Sequence, residues 1–115
     1  MSLVSIIILN WEAGKWLPNC IYSLTQQTYS PIEVFVINQK SEDGSLEILK
    51  KLEELGGLTL LGTLEDSGFS TANNYGITEA LNRGSQYVLL FNTDTKMFPD
   101  GVETMVKCLQ SNEKY

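Results

Sequence analysis

Four short apolar runs alternate along this chain with four segments whose apolar residues recur at helical spacing. The runs are residues 3–9, 32–38, 58–63 and 86–91, and the segments are residues 14–27, 43–55, 69–82 and 99–110. Continuous apolar runs are typical of parallel strands that are buried on both faces, and right-handed crossovers leave few ways to connect them. We therefore predict an α/β fold: a Rossmann-like parallel sheet of order 3-2-1-4 with helices on both faces.

Composition excludes several classes of protein. The chain has 115 residues, 43% of them hydrophobic, which suits one globular domain. Its formal net charge of -6 argues against nucleic acid as a partner, because phosphate backbones need a basic surface. The chain has no histidine, and Cys20 and Cys108 lie far apart, so a zinc site is not expected. Both cysteines occupy apolar positions of predicted helices, and we expect buried, reduced thiols.

Nothing in the sequence indicates a membrane span or a signal peptide. The longest apolar stretch, residues 3–9, is far shorter than the roughly 20 residues that a spanning helix needs. It also lacks a charged segment before it and a small-residue cleavage site after it. We expect a cytoplasmic chain, and peripheral contact with the inner face of the membrane stays open as an alternative.

Polar residues follow the carboxyl ends of the predicted strands. They are Asn10, Trp11 and Glu12 after the first strand, Asn38, Gln39 and Lys40 after the second, and Asn92, Thr93 and Asp94 after the fourth. The third helix begins near Ser67 and Gly68, and it carries Asn73 and Asn74 about one turn in. Ligands of such sheets bind beyond the carboxyl ends of the strands, where the strand order reverses. No standard phosphate loop occurs, so a phosphate ligand would need a metal on Asp94 and the positive end of a helix.

Each of these features also has a simpler explanation. Asn38 and Asp43 suit turn and helix caps, Trp11 suits a partly buried edge position, and Asn92 to Asp94 suit a turn before the last helix. The pair Asn73 and Asn74 is harder to explain, because asparagine is a poor helix former that needs hydrogen-bond partners. The convergence of all four groups on one crevice favours a ligand site.

Four motifs, in order, resemble the donor-binding half of family 2 glycosyltransferases of the GT-A fold. They are "VSIIILNWEAGKWLPNCIYSLTQQTY", "VFVINQKSEDGSLEIL", "DSGFSTANNYGITEAL" and "YVLLFNTDTKMFPDGVETM". Together they cover nearly the whole chain. The last two are most similar to the rhamnosyltransferase-like branch, which carries N-x-D in place of D-x-D.

The resemblance implies a role for each matching position. Trp11 matches a position that stacks on the nucleotide base, and Asn38 matches an aspartate that hydrogen-bonds the base. The other nucleotide-sugar-binding positions that it implies are Asn10, Asn73, Asn74, Asn92 and Thr93. Asp94, with Asn92 beside it, matches the site of a divalent metal ion, Mg²⁺ or Mn²⁺.

The implied activity is the transfer of a sugar, with inversion, from a nucleotide-diphosphate sugar to a saccharide or lipid-linked acceptor. UDP- or TDP-linked donors are favoured, and the implied setting is cell-surface polysaccharide biosynthesis. Asn38 in place of aspartate also opens the site to cytosine, because an amide can donate as well as accept. Asn92 lowers the negative charge beside the metal, so we expect weak metal binding without nucleotide.

The family's catalytic base lies downstream of the metal motif, where this chain has only a short segment. Asp100 and Glu103 fall in the first turn of the last helix, where the helix dipole explains them, so no catalytic base is assigned. We expect residues 1–115 to be a donor-binding domain truncated before the acceptor region, which binds nucleotide with little or no transfer. The alternative is a degenerate, non-catalytic glycosyltransferase-like scaffold or nucleotide-binding module, which Asn38 and Asn92 favour.

Overall fold

The structure of the chain, a computed structural model, describes residues 2–64 and 68–111. Four strands alternate with four helices: β1 (Val4–Asn10), α1 (Leu17–Thr25), β2 (Ile32–Gln39), α2 (Ser45–Glu54), β3 (Thr59–Leu64), α3 (Phe69–Asn82), β4 (Tyr87–Phe91) and α4 (Gly101–Ser111). All strand pairs are parallel and the order is β3-β2-β1-β4. The predicted fold class and strand order are confirmed.

The apolar run of β1 is continuous because both of its faces are covered. Ile6 and Ile8 point to the face that packs against α1, α2 and α4, and Ile7 points to the face that packs against α3. All three side chains are fully buried. Helices on both faces, as predicted, thus follow from alternate side chains of one strand packing in two separate cores.

Helix α3 lies very close to the sheet through a stripe of small residues. Helical spacing of the sequence predicts one stripe of Phe69, Ala72, Gly76 and Ala80, and the last three are buried. A Cβ atom at position 76 would lie 2.6 Å from the Cγ2 atom of Ile7, so glycine is what allows this approach. Phe69 was predicted on the same stripe, and its side chain lies outside the described part of the structure. The contact fixes the first turn of α3 beside the carboxyl ends of β1 and β2.

Strand β4 is less buried than its apolar sequence predicts. It is the edge strand of the described sheet, and α3 covers β1 and β2 more than β4. The side chain of Leu90 therefore remains 46% exposed. The other four residues of β4 are only partly buried, so the expectation of a strand buried on both faces is wrong for β4.

Helix α4 begins later than the sequence predicts. Pro99 was expected at its first helical position, but the helix starts at Gly101. The N–H of Gly101 donates to the carbonyl of Phe98 at 2.8 Å, which closes a turn before the helix. The first bond of helical spacing runs from the N–H of Thr104 to the carbonyl of Asp100, at 2.9 Å. Pro99 therefore belongs to the turn that leads into α4.

Cys108, which was expected to be buried, and Leu55, which helical spacing places on the apolar side of the second predicted helix, are both exposed. Cys108 is exposed because the inner face of α4 is formed by Val102 and Val106, and a residue two positions after Val106 points away from it. Leu55 follows the last residue of α2 and is 78% exposed. Cys20, by contrast, is buried as predicted.

Residues 2–64 and 68–111 contain no helix with the length and apolar character needed to span a membrane.

Candidate functional site

A cleft of about 410 Å³ lies at the carboxyl ends of β1 and β4. Five of the predicted site residues line it: Trp11, Asn73, Asn92, Thr93 and Asp94. A larger groove, of about 500 Å³, lies at the opposite end of the sheet, beside Ile32 and Thr59, and none of the predicted site residues lines it. The chemistry predicted from the sequence thus concentrates in the smaller cleft.

Asp94 presents a carboxylate to this cleft from a turn that follows β4. The N–H of Thr95 donates to the carbonyl of Asn92 at 3.2 Å, and the hydroxyl of Thr95 lies 3.4 Å from Oδ1 of Asp94. Asp94 is exposed, and no ion pair involving it is found within the described ranges. Its charge is therefore available to a cation in the cleft.

The ligand types around Asp94 fit a hard cation that is only partly held by protein. No group of three or more histidine, cysteine or acidic residues able to hold a metal occurs among the residues that the structure describes. Asp94 offers one carboxylate, and the exposed Asn92 offers an amide oxygen beside it. Mg²⁺ is commonly bound by one or two carboxylates together with ligand phosphates, so these residues suit a metal ion that arrives with a diphosphate.

Two indole rings border the cleft. Trp11 was predicted and is 67% exposed, whereas Trp16, which is 46% exposed, was not predicted. The ammonium group of Lys15 lies 4.7 Å from the ring centroid of Trp16, within the range of a cation–π contact. The sequence could have indicated Trp16, because it is the second tryptophan within a few residues of the end of the first strand. Exposed aromatic rings beside a polar cleft can stack on planar ligands.

The loop after β1 is braced against the loop after β2 through Glu12. Glu12 has a positive φ of 51°, which is uncommon for a residue with a side chain. Its N–H donates to the hydroxyl of Ser41 at 2.9 Å, and its carboxylate accepts from the N–H of Glu42 at 2.6 Å. These bonds hold Glu12 in its strained conformation and fix the neighbouring Trp11 at the rim of the cleft.

Asp43 makes a second connection between the same two loops. Its carboxylate accepts from the N–H of Gly14 and from the N–H of Ser45, both at 3.0 Å, and also from the hydroxyl of Ser45. The Ser45 hydroxyl, and after it the Gly14 amide, lowers the pKa of Asp43 below its ordinary value. Asp43 was expected to cap α2, and it does accept from the N–H of Ser45, the first residue of that helix. Through the N–H of Gly14 it also braces the loop after β1.

Asn10 and Asn38 form a buried pair that does not line the cleft. They are register partners on β1 and β2, with exposed fractions of 0% and 1%. Nδ2 of Asn10 donates to Oδ1 of Asn38 at 2.7 Å, and Nδ2 of Asn38 lies 3.4 Å from the hydroxyl of Thr63. Oδ1 of Asn10 is buried and has no hydrogen-bond partner among residues 2–64 and 68–111. The oxygen that the resemblance assigns to the base is thus already bonded to Asn10.

The remaining predicted positions do not line the cleft, or they lie outside the residues that the structure describes. Asn74 is exposed on α3 and is absent from the residues that line the cleft. Gly68 precedes α3 with a φ of 80°, and its carbonyl lies 3.5 Å from the side-chain nitrogen of Gln39. Lys40 is exposed. Ser67 lies outside the described residues.

Cys20 contacts the Asp94 turn from the protein interior. Its thiol lies 3.8 Å from the carbonyl oxygen of Asn92. Burial, and secondarily the negative charge of Asp94, raises the pKa of Cys20 to about 11. The thiol therefore stays protonated and can donate to the turn that carries Asp94.

Comparison with known proteins gives relatives of similar sequence. The chain is 33% identical over 104 residues to the Streptococcus pneumoniae protein named glycosyltransferase GlyA, a match that covers 90% of this chain and 14% of that protein. It is also 33% identical over 103 residues to the Escherichia coli protein named uncharacterized glycosyltransferase YibD, covering 90% of this chain and 29% of YibD. The chain therefore spans less than a third of either relative.

Solved structures share the fold at lower sequence identity. The structure described as S. aureus TarS residues 1–349 in complex with UDP-GlcNAc matches 98% of this chain and 32% of its own length, with a TM-score of 0.80 and 20% identity. The mannosyltransferase PcManGT from Pyrobaculum calidifontis, described in complex with GDP-Man and Mn²⁺, matches 92% of this chain and 32% of its own length, with a TM-score of 0.80 and 22% identity.

The family assignment rests on nearly the full length of the chain. A sequence model of glycosyl transferase family 2 matches residues 5–115, a range that contains every predicted site residue and all of the four motifs except Val4, the first residue of the first motif. The chain belongs to glycosyl transferase family 2.

Proposed function

We propose that residues 1–115 are the donor-binding domain of an inverting glycosyltransferase, which takes a sugar from a nucleotide-diphosphate sugar to a saccharide or lipid-linked acceptor. The observation that carries this proposal is the exposed carboxylate of Asp94, which lies without a described ion-pair partner in a cleft bordered by indole rings. A cytoplasmic location, where nucleotide sugars are available, is part of the proposal.

Trp11 holds the base end of the donor in this account. Its exposed ring can stack on any base, and base–aromatic stacking contributes about 1–3 kcal/mol. Asn38 contacts the base only if the buried pair rearranges, because its side chain is buried and its oxygen already accepts from Nδ2 of Asn10. UDP- and TDP-linked sugars stay the favoured donors, and the UDP-GlcNAc named in the TarS complex supports a UDP-linked one.

Asp94 and its neighbours hold the diphosphate end. Asp94 would bind a divalent cation, with Asn92 beside it, and the phosphates of the donor would complete the coordination. When bound, such a cation neutralises the charge that develops on the departing diphosphate. Asn73 lines the same cleft and lies in the first turns of α3, where it can contact the phosphates or the sugar. The Mn²⁺ complex of PcManGT supports the use of a divalent ion.

Deprotonation of the acceptor is assigned to no described residue. Glu103 accepts from the hydroxyl of Thr28 and lies 3.6 Å from the ammonium of Lys107, away from the cleft. Glu12 lines the cleft, but its carboxylate is bonded to the N–H of Glu42. We therefore propose that this chain binds the donor and that the acceptor region and the base belong to further sequence, as the length of the relatives suggests.

A titration with nucleotides tests this function. UDP, TDP, CDP and GDP are added with and without Mn²⁺ while the thermal unfolding temperature and the heat of binding are recorded. We expect a stabilisation by UDP or TDP that requires Mn²⁺ and that Asp94→Asn abolishes. The matched control is Asp100→Asn, which removes an exposed carboxylate of the same type just before α4.

The outcomes separate the proposal from its alternative. Stabilisation by a pyrimidine nucleotide in the wild type and in Asp100→Asn, but not in Asp94→Asn, supports a metal-dependent donor site. If none of the four nucleotides changes the unfolding temperature, the chain is a non-catalytic glycosyltransferase-like scaffold instead. Tight binding of Mn²⁺ without nucleotide would contradict the weak, single-carboxylate site.

A further inference from the structure

The segment that carries Asp94 is held in place by polar groups from α1 and the turn after it. Between β4 and α4, residues 92–100 form turns and irregular backbone. The groups that bind this segment lie on one side of α1 and its extension, and we call them the α1 seam: Cys20, Ser23, Gln27 and Thr28. Since the segment has no strand or helix of its own, the seam determines where it lies.

Gln27 makes the largest number of these contacts. Its side-chain nitrogen donates to the carbonyl of Phe98 at 2.8 Å and to the carbonyl of Ser23 at 2.9 Å. Its side-chain oxygen accepts from the N–H of Val102 at 3.0 Å. One amide thus joins the end of α1, the irregular segment and the first turn of α4, where the N–H of Val102 has no carbonyl of its own helix available.

Ser23 and Cys20 extend the seam toward Asp94. The N–H of Met97 donates to the hydroxyl of Ser23 at 3.1 Å, and that hydroxyl donates in turn to the carbonyl of Cys20 at 2.7 Å. The thiol of Cys20 lies 3.8 Å from the carbonyl of Asn92. The seam therefore touches the backbone on both sides of Asp94, two residues before it and three residues after it.

This arrangement matters for the donor site because Asp94 is the single carboxylate proposed to hold the cation. A site with several carboxylates tolerates displacement of one of them, whereas a site with one does not. Residues that orient a metal ligand typically change metal affinity about 10- to 100-fold when they are removed. Nothing in the resemblance or in the site residues predicted from sequence assigns such a role to Gln27 or Ser23.

We propose that Gln27 and Ser23 are positioning residues, which fix the segment after β4 so that Asp94 presents its carboxylate to the metal and diphosphate of the donor. This inference rests on the proposed function. Neither residue lines the cleft that contains Asp94, and both act through the backbone at Met97 and Phe98.

The test replaces the amide of Gln27 while keeping the length of its side chain. Gln27→Met removes all three hydrogen bonds. Gln26→Met is the matched control, because Gln26 is exposed and, within the described part of the chain, its side chain bonds only to the hydroxyl of Thr25, at 3.3 Å. A second pair of variants, Ser23→Ala and Ser23→Thr, removes and keeps the hydroxyl that accepts from Met97. Far-UV circular dichroism at 10 °C confirms that each variant is folded before any binding is measured.

Two readouts are recorded. The first, without ligand, is the amide hydrogen exchange of Thr95 and Met97, which reports local opening of the segment. The second is the binding of Mn²⁺ in the presence of UDP, followed by loss of the electron paramagnetic resonance signal of free Mn²⁺. In Gln27→Met and Ser23→Ala we expect faster exchange at Met97 and Mn²⁺ binding weakened about 10-fold. Gln26→Met and Ser23→Thr should match the wild type in both readouts.

The outcomes distinguish this inference from the function on which it rests. If Gln27→Met and Ser23→Ala are folded and bind Mn²⁺ with UDP as the wild type does, the seam is purely structural and the positioning role is refuted, while the donor site stands. If the wild type itself binds no Mn²⁺ with any of the four nucleotides, the proposed function fails and the positioning role fails with it. Weaker binding in both variants, with both controls unchanged, supports the role.

Discussion

The buried pair of Asn10 and Asn38 leads to a prediction that depends on counting unpaired atoms. In the wild type one buried amide atom of the pair, Oδ1 of Asn10, has no partner. Asn38→Leu adds a second, because Nδ2 of Asn10 loses its acceptor at 2.7 Å. Asn10→Leu removes one unpaired oxygen and creates another on Asn38, so the count stays the same. The double variant leaves no unpaired amide atom at this place.

The free energy of unfolding should follow that count. A buried polar atom that loses its partner costs about 1–3 kcal/mol, so Asn38→Leu should be destabilised by about 2 kcal/mol. Asn10→Leu should remain within about 1 kcal/mol of the wild type. The double variant should be at least as stable as the wild type, because replacing both partners with apolar groups of similar size is nearly neutral or stabilising.

Urea unfolding at 25 °C, followed by circular dichroism, measures all four free energies in one double-mutant cycle. The reasoning is refuted if Asn38→Leu is as stable as the wild type, or if the double variant is less stable than Asn38→Leu. A stable double variant also serves the functional question. Its affinity for UDP reports whether the two amides contribute to the base contact, without interference from unfolding.

Three further predictions concern the core, the loop brace and the thiols. Gly76→Ala should be destabilised by about 1 kcal/mol in urea unfolding, because the clash with Ile7 exceeds the gain in helix propensity; equal or greater stability would contradict the close contact of α3 with the sheet. The pKa of Asp43 is lower in the folded protein than its ordinary value of 3.8. The ionised carboxylate therefore contributes fully to the free energy of unfolding above pH 3.8, and this contribution disappears as the pH falls through the pKa of the folded protein. The difference in unfolding temperature between the wild type and Asp43→Asn should therefore be constant from pH 7 to about 5 and should narrow below about pH 4. At pH 8 iodoacetamide should label the exposed Cys108 in the native protein and Cys20, with its pKa of about 11, only after unfolding, as peptide mass spectrometry can check.

The architecture follows from patterns that the sequence displays directly. Apolar runs such as that of β1 predicted the strands, and helical spacing such as that of Ala72, Gly76 and Ala80 predicted the helices. These patterns reflect interactions between residues that are close in the chain, or between one helix and the sheet it covers. Right-handed crossovers between strands and helices then favoured the strand order. The close contact of α3 with the sheet was not predicted. The exposure of Leu90 and Cys108 was missed because it depends on which neighbour covers a given face, and that depends on the whole arrangement of layers.

The convergence of the candidate site residues on one cleft was predicted only in part. Residues that leave the ends of β1 and β4 reach the same cleft, and Trp11, Asn92, Thr93 and Asp94 lie there as expected from the topology. The burial of Asn10 and Asn38 was not predicted, because each side chain finds its partner on the neighbouring strand.

The α1 seam was not predicted either. Gln27 and Ser23 bind backbone atoms more than 70 positions away in the chain, and a bond to a backbone donor or acceptor does not depend on the side chain at that position, so it leaves no mark on the sequence.

The central claim is that a single carboxylate after β4 holds a cation together with the diphosphate of a nucleotide in the cleft at the carboxyl ends of the strands. Substoichiometric Mn²⁺, added with UDP to ¹⁵N-labelled protein, tests it most directly, because the paramagnetic ion broadens the signals of nearby nuclei. We expect broadening of the signals from the amide of Asp94, the side chain of Asn73 and the indole of Trp11. None of these signals should broaden in Asp94→Asn. Broadening at the opposite end of the sheet, beside Ile32 and Thr59, or no UDP-dependent broadening at all, would contradict it.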